Sequence, residues 1–244
     1  MQIRKGIILT GGTGTRTAPF NKMFNKHLLP LYNRFIIDFP LDTLRHLGVT
    51  DLTVILGGEH SDQIKRYFEI NQNCGFEKVN YVQQDSPAGI AQAINLCHQY
   101  IGDERFVTIL GDNYYEKRIK FNDNDRAQIV LCQHPELKRF GVASIINGRI
   151  VKIEEKPQAI DESMDANFAI TGLYLFDGKY FDYFKNLKRS ARGEFEIVDI
   201  INQYRDDGKL YYTITDGEWS DAGTLESIHR VSNGIREKFL NPKQ

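Results

Sequence analysis

Gly6-Ile7-Ile8-Leu9-Thr10 running into Gly11-Gly12-Thr13-Gly14-Thr15-Arg16 is the stretch on which the reading of this chain turns. The first five residues are mostly apolar and rich in β-branching, which predicts a parallel strand buried on both faces. Such a strand delivers its loop to the carboxyl edge of an open α/β sheet, where these folds bind ligands. Glycines let the backbone approach an anion closely and turn its N–H groups inward. Arg16 adds a planar fork of donors, and Lys26, ten residues on, adds a mobile positive charge. Gly11, Gly12, Gly14, Thr15 and Arg16 therefore read as a cradle for a polyphosphate. The competing reading is a plain tight turn, and the loop alone does not separate the two.

Outward from the loop, the first half alternates helix-like and strand-like segments, the pattern of a parallel sheet with crossover helices. It predicts helices over 35–48 (Pro40 in the first turn), 62–70 (capped by Ser61) and 89–100, and strands over 52–56, 79–84 and 106–110. The last of these strands is apolar except for Thr108 and reads as central. Past a polar stretch at 116–126 the pattern changes. Strands are expected over 129–132, 141–146, 149–154, 169–176 and 210–215, and helices over 179–187, 195–207 and 224–240. Asn147-Gly148 joins two of those strands as a tight hairpin. The expected architecture is a three-layer α/β fold with a mostly parallel sheet, flanking helices and a small antiparallel subdomain. It divides one domain over 1–244 into a first part at about 1–115, a second at about 127–225 and a terminal helix.

Composition narrows the class. With 41% hydrophobic and 26% charged residues, the 244-residue chain is ordinary for a globular protein and long enough for a large core. A net charge of −1, from 31 basic and 32 acidic side chains, gives no overall drive toward nucleic acid or an anionic membrane. Any polyanion site must be local. Cys74, Cys97 and Cys132 show neither metal-ligand spacing nor a disulfide framework and read as thiols in a reducing cytosol. No signal-peptide pattern and no membrane-spanning apolar run are seen, so the expected location is cytoplasmic. The six histidines form no cluster, and none is given a catalytic role.

Three further stretches carry candidate chemistry. Asp112 follows the central strand, and a carboxylate there suits magnesium, which takes hard oxygen ligands and keeps waters and substrate phosphates. Asp221, ahead of the terminal helix, could share that ion if both segments meet at the sheet edge. Plain turn and helix-terminus roles are the alternatives. Glu155-Lys156-Pro157 closes the hairpin, and Pro157 biases Lys156 to an extended conformation that sets the two side chains on opposite sides. Glutamate can accept sugar hydroxyls and lysine can meet a phosphate; an exposed ion-paired edge is the alternative. In Gln84-Asp85-Ser86-Pro87-Ala88-Gly89, Gln84 offers the donor and acceptor needed to read a pyrimidine edge, while Pro87 and Gly89 shape the loop.

Taken in order, these stretches resemble the sugar-1-phosphate nucleotidyltransferases, most closely the glucose-1-phosphate thymidylyltransferases. The opening stretch through Arg16 is similar to the family's signature loop, and Asn25-Lys26-His27-Leu28-Leu29-Pro30 to its lysine motif. Ser86-Pro87-Ala88-Gly89-Ile90-Ala91-Gln92-Ala93 resembles its base-binding loop and following helix. Leu110-Gly111-Asp112-Asn113, Phe140-Gly141-Val142, Glu154-Glu155-Lys156-Pro157, Ile170-Thr171-Gly172-Leu173-Tyr174 and Ser190-Ala191-Arg192-Gly193-Glu194 match further blocks in the family's order.

The resemblance implies the nucleotide-diphospho-sugar transferase fold. It implies in-line attack of a sugar-1-phosphate oxygen on the α-phosphate of a nucleoside triphosphate, with Mg2+ as cofactor and pyrophosphate leaving. By carry-over, Gly11, Gly12, Gly14, Thr15 and Arg16 hold the triphosphate, and Gln84, Pro87 and Gly89 the base. Asp112 and Asp221 bind magnesium, and Asp112, Gly141, Glu155, Lys156 and Thr171 hold the sugar phosphate. The attacking phosphate is already anionic, so alignment and charge neutralisation suffice, with Arg16 and Lys26 as the catalytic pair. The expected substrates are dTTP and glucose-1-phosphate. UTP or CTP with another sugar phosphate is the alternative, as is a non-catalytic nucleotide-sugar-binding regulator; the latter fits poorly with an intact set of Arg16, Lys26, Asp112 and Asp221. A glycosyltransferase would call for an Asp-x-Asp motif and would leave Lys26 unexplained. Thr17, Ala18, His27 and Ala88 depart from the family pattern and bear on substrate preference. Longer members continue into helices that carry an allosteric site and subunit contacts. The expectation for this chain is no such site, with homo-oligomer formation left open.

Overall fold

Strand β1 (Lys5–Leu9) buries its three middle residues, as an apolar β-branched run should. The computed structural model to which it belongs describes residues 3–241. After short 3-10 turns come a small hairpin, β2 (Pro30–Leu31) and β3 (Arg34–Phe35), then α1 (Asp38–His46), β4 (Asp51–Leu56) and α2 (Ser61–Ile70). β5 (Lys78–Gln83), α3 (Ile90–Asn95), α4 (His98–Ile101) and β6 (Phe106–Leu110) complete the first half. The second half holds β7 (Asn113–Tyr115), β8 (Ala127–Cys132), β9 (Gly141–Ile146), β10 (Arg149–Glu155) and β11 (Ala166–Phe176). It ends with α5 (Lys179–Lys185), α6 (Ile197–Asp206), β12 (Leu210–Ile214), β13 (Trp219–Asp221) and α7 (Leu225–Leu240).

Nine strands form one mixed sheet with the spine β10-β9-β11-β6-β1-β4-β5; β8 and β12 lie beyond the other edge of β11. β6, β1, β4 and β5 are mutually parallel, and β6 is central as the sequence predicts. Strand β11 runs antiparallel to β6, β8 and β9, so the antiparallel part continues the main sheet. Because successive strand residues face opposite ways, Ile7 packs with α3, α5 and α6 on one face while Ile8 packs with α1 and α2 on the other. A smaller cluster seats α7 on β2.

The site owes its position to β11. Its residues 166–169 pair with β9 and 173–176 with β6, both along the same edge. Between them, Ile170, Thr171 and Gly172 pair with neither, and the register toward β8 shifts at the same place. The end of β6 and the start of β9 therefore part over this segment. The gap is a topological switch point, the place where open α/β sheets bind ligands.

Four local expectations are corrected. Ser61 is the first helical residue of α2 and makes no capping bond. The predicted 89–100 helix is broken between α3 and α4, where the bonds tighten to Cys97 N–H→Ile94 and Tyr100 N–H→Cys97. The first predicted helix starts at Asp38, after β3. Lys156 is left-handed, with φ 46°, rather than extended. Its N–H donates to Phe140 O at 3.0 Å and Pro157 is buried, which together outweigh the usual preference before proline.

Candidate active site

Every residue singled out as a site residue lies on the wall of one of three adjoining cavities at the carboxyl edge of the parallel strands. Gly12, Gly14, Thr15 and Lys26 line one of about 200 Å³. Gly11, Gly12, Arg16, Lys26, Gln84, Pro87, Gly89 and Asp112 line the next, of about 300 Å³. Arg16, Asp112, Gly141, Glu155, Lys156, Thr171 and Asp221 line the largest, of about 610 Å³. Lys26 thus stands at the first boundary and Arg16 with Asp112 at the second. Ile90 and Leu110 also line both of the larger cavities, between the Gln84 end and the Glu155 end.

The glycine loop is shaped by its neighbours. Gly11 and Gly12 cross Gly57 and Gly58 at the end of β4 so closely that a Cβ on Gly58 would sit 3.0 Å from Gly12 O. Thr17, one of the departures from the family pattern, donates its hydroxyl to Gly14 O at 2.7 Å and is fully buried. It tightens the turn that presents Arg16.

The charges interlock. Lys26 Nζ lies 2.6 Å from Asp112, with both side chains largely buried. Burial alone would raise the Asp112 carboxyl, but Lys26, with smaller help from His27 and Asn113, holds it well below the usual range. Asp221 meets Arg16 at 3.6 Å and Arg139 at 3.4 Å. Burial and the nearby Asp112 charge nevertheless raise its pKa, against the pull of Arg139, Arg16 and Lys26. The two aspartates are brought together by the β7–β13 pair, in which Asn113 faces Asp221, and by the Ala222 N–H→Asp112 O bond at 2.8 Å. Gly223 lets Arg16 in: a Cβ there would lie 2.7 Å from the guanidinium. His27 is buried and neutral, its pKa lowered to about 3 by burial and by Lys26.

At the other ends the polar groups are already committed in part. The Thr171 hydroxyl accepts from Tyr115 at 2.7 Å and donates to Val130 O at 3.0 Å, so it faces into the protein. Glu155 is held by Arg192 at 3.1 Å, and burial raises its pKa. The Lys156 ammonium sits 3.8 Å from Glu155, so the two are neighbours rather than opposed. Gln84 donates to Gln92 Oε1 at 2.7 Å.

Sequence reading missed four residues here. Asn113 is a hub: its Oδ1 accepts from Gly172 N–H at 3.0 Å and Trp219 Nε1–H at 2.6 Å, while its Nδ2 reaches Asp112. Arg139, Gln92 and Gly223 were also passed over. Adjacency to Asp112 and to Asp221 was the available signal for Asn113 and Gly223, and a place in the block that follows Gly89 was the signal for Gln92; Arg139 had none, since its partner is set by the fold.

The glycine loop, Arg16 and Lys26 and the paired Asp112 and Asp221 gather at the switch point of a mixed sheet, where open α/β folds bind ligands. Residues 5–238 match the nucleotidyl transferase family model, and the chain belongs to that family of enzymes. It is similar to the glucose-1-phosphate thymidylyltransferase of Neisseria meningitidis serogroup A / serotype 4A, at 36% identity over 243 residues that cover 95% of this chain and 82% of that one. The enzyme of the same name from Xanthomonas campestris pv. campestris is 35% identical, covering 96% and 81%. A solved Bacillus anthracis structure, a provisionally named glucose-1-phosphate thymidylyltransferase in complex with a sucrose, superposes with a TM-score of 0.87 at 41% identity, covering 96% of each chain. UDP-glucose pyrophosphorylase, at 21% identity and a TM-score of 0.82, shares the fold. No helix among the described residues is long and apolar enough to cross a membrane.

Proposed function

We propose that the protein transfers a thymidylyl group from dTTP to glucose-1-phosphate in the cytoplasm, releasing pyrophosphate, with Mg2+ as cofactor. The observation that carries the reading is the pairing of Lys26 with Asp112 and of Arg16 with Asp221, with Arg16 and Asp112 on the boundary between the two larger cavities. The base would lie in the Gln84 cavity and the sugar in the Glu155 cavity, which places the reacting phosphates at their junction. There a phosphate oxygen of the sugar phosphate bonds to the α-phosphorus as the bond to the leaving pyrophosphate breaks. Both substrates are polyanions, so the main work of the site is to align them and offset their repulsion. Arg16 is more than half exposed and free to close on phosphate, while Lys26 is held in place by Asp112.

Asp112 and Asp221 fit a magnesium ion. They offer hard carboxylate oxygens on adjoining segments, with Asn113 paired to Asp221 across β7 and β13 and Ala222 N–H bonded to Asp112 O at 2.8 Å. Bound there, the ion would neutralise phosphate charge. The names of the thymidylyltransferase relatives support the choice of substrates. The test is pyrophosphate release across a matrix of nucleoside triphosphates and sugar-1-phosphates with magnesium. The dTTP and glucose-1-phosphate pair should give the highest kcat/KM; release from no pair would sink the reading.

A further inference from the structure

The proposed reaction gives Arg139 no part, yet it stands against one of the two aspartates that fit a metal. It ends a 3-10 turn, Leu137–Arg139, just before β9. Its Nη2 faces both Asp221 oxygens, at 3.5 and 3.4 Å. Arg16 approaches the same carboxylate at 3.6 Å, from a side chain that is 56% exposed. Arg139 is 33% exposed and is held from two further sides. Its Nη1 donates to Glu136 at 2.6 Å, and its guanidinium lies 5.2 Å from the centre of the Phe140 ring. That ring packs on Trp219 at 5.0 Å, and Phe140 O accepts from Lys156 N–H at 3.0 Å. Arg139 is therefore the better-anchored cation on Asp221. The two aspartates are engaged unequally. Asp112 meets Lys26 at 2.6 Å, and its other oxygen accepts from Asn113 Nδ2 at 3.2 Å. The Arg139 contact to Asp221 is longer and uses one nitrogen, without the parallel fork by which arginine grips a carboxylate. It is the contact that can yield, and Glu136 keeps the guanidinium partnered when it does.

We propose that Arg139 is a positioning residue that competes with the divalent cation for Asp221, and so sets how tightly the site holds its metal. A guanidinium and a divalent cation seek the same carboxylate oxygens. The Asp221 and Asp112 side chains are only 14% and 9% exposed, so water screens little of the repulsion between the two cations. Metal entry then exchanges one Arg139 partner, Asp221, for fuller use of the other, Glu136. The inference rests on the nucleotidyl-transfer reading for the presence of a metal at Asp112 and Asp221.

Equilibrium binding of Mn2+ alone, counted by electron paramagnetic resonance without nucleotide, tests it. Trp219, the chain's one tryptophan, gives a second readout through its fluorescence as Mg2+ is added. Arg139→Gln should tighten metal binding by about tenfold. Arg139→Lys keeps the charge and should stay within about threefold of wild type. Arg16→Gln removes the more exposed cation and should tighten binding by less than about threefold. A purely structural arginine would weaken metal binding when lost. Unchanged or weaker binding by an Arg139→Gln protein that melts normally would therefore overturn the proposal. Equal tightening in Arg139→Gln and Arg16→Gln would overturn it too, as would no measurable metal binding by any of these proteins. Should Arg139→Gln fail to fold, Glu136→Gln decides: it leaves Arg139 to Asp221 alone and should weaken metal binding by about threefold, and no change would count against the proposal. If the metal titrations come out as expected but no substrate pair releases pyrophosphate, the transfer reading fails while this inference stands.

Discussion

Lys26 and Asp112 illustrate what one contact contributes. The pair is nearly buried, so each holds the other's charge in place: Asp112 stays ionised, and the lysine is held on the boundary between the two smaller cavities. Lys26→Ala and Asp112→Asn should each lower kcat by about 10²-fold or more, with circular dichroism unchanged. A variant that kept more than about a tenth of the rate would remove that residue from the catalytic set. His27 makes a different prediction. Folded, it stays neutral down to about pH 3. Unfolded, it takes up a proton near its ordinary value of about 6.5. Below that pH the unfolded chain binds a proton that the fold refuses, so stability falls as pH falls, by roughly 1.4 kcal/mol per unit. His27→Gln lacks this dependence. Between about pH 7 and about pH 5 its Tm should fall by ~5 °C less than the wild type's, measured by thermal denaturation.

At the scale of elements, local chemistry and long-range placement separate cleanly. The β9–β10 hairpin was legible because Asn147 and Gly148 both adopt positive φ, 50° and 71°, which that dipeptide accepts at little cost. Gly148→Ala has open space but a strained backbone, and should cost about 1 kcal/mol of stability while leaving kcat unchanged. Gly223→Ala should do the reverse. It lies between β13 and the well-capped start of α7, where Thr224 and Ser227 bond reciprocally, so the fold should hold. Its new methyl would displace the Arg16 guanidinium, and kcat should drop by about tenfold. Steady-state kinetics and melting curves on the two variants check both. The β7–β13 pair was not legible: three-residue strands carry too little periodicity to read, and their partners lie at opposite ends of the second half.

For the whole molecule, the proposed reaction needs ligands that span adjoining cavities. A nucleotide bound with magnesium at a hundredfold excess over its Kd should stabilise the fold by about 2.7 kcal/mol, a Tm rise of roughly 5–10 °C for a chain of this size. A chelator such as EDTA should abolish pyrophosphate release, and added Mg2+ should restore it; undiminished release under chelation would rule out the metal. The sequence by itself determined the order of the nine main-sheet strands and the helices between them, the central place of β6, the glycine loop and the residue types of the candidate site. Those follow from periodicity and backbone preference, which act between near neighbours. Only the tertiary structure decided that Asp221 comes to lie beside Asp112, that Arg139 joins them and that the sheet parts at Ile170–Gly172. These depend on strand order, register and ion pairing between segments far apart in the chain, which no local pattern records.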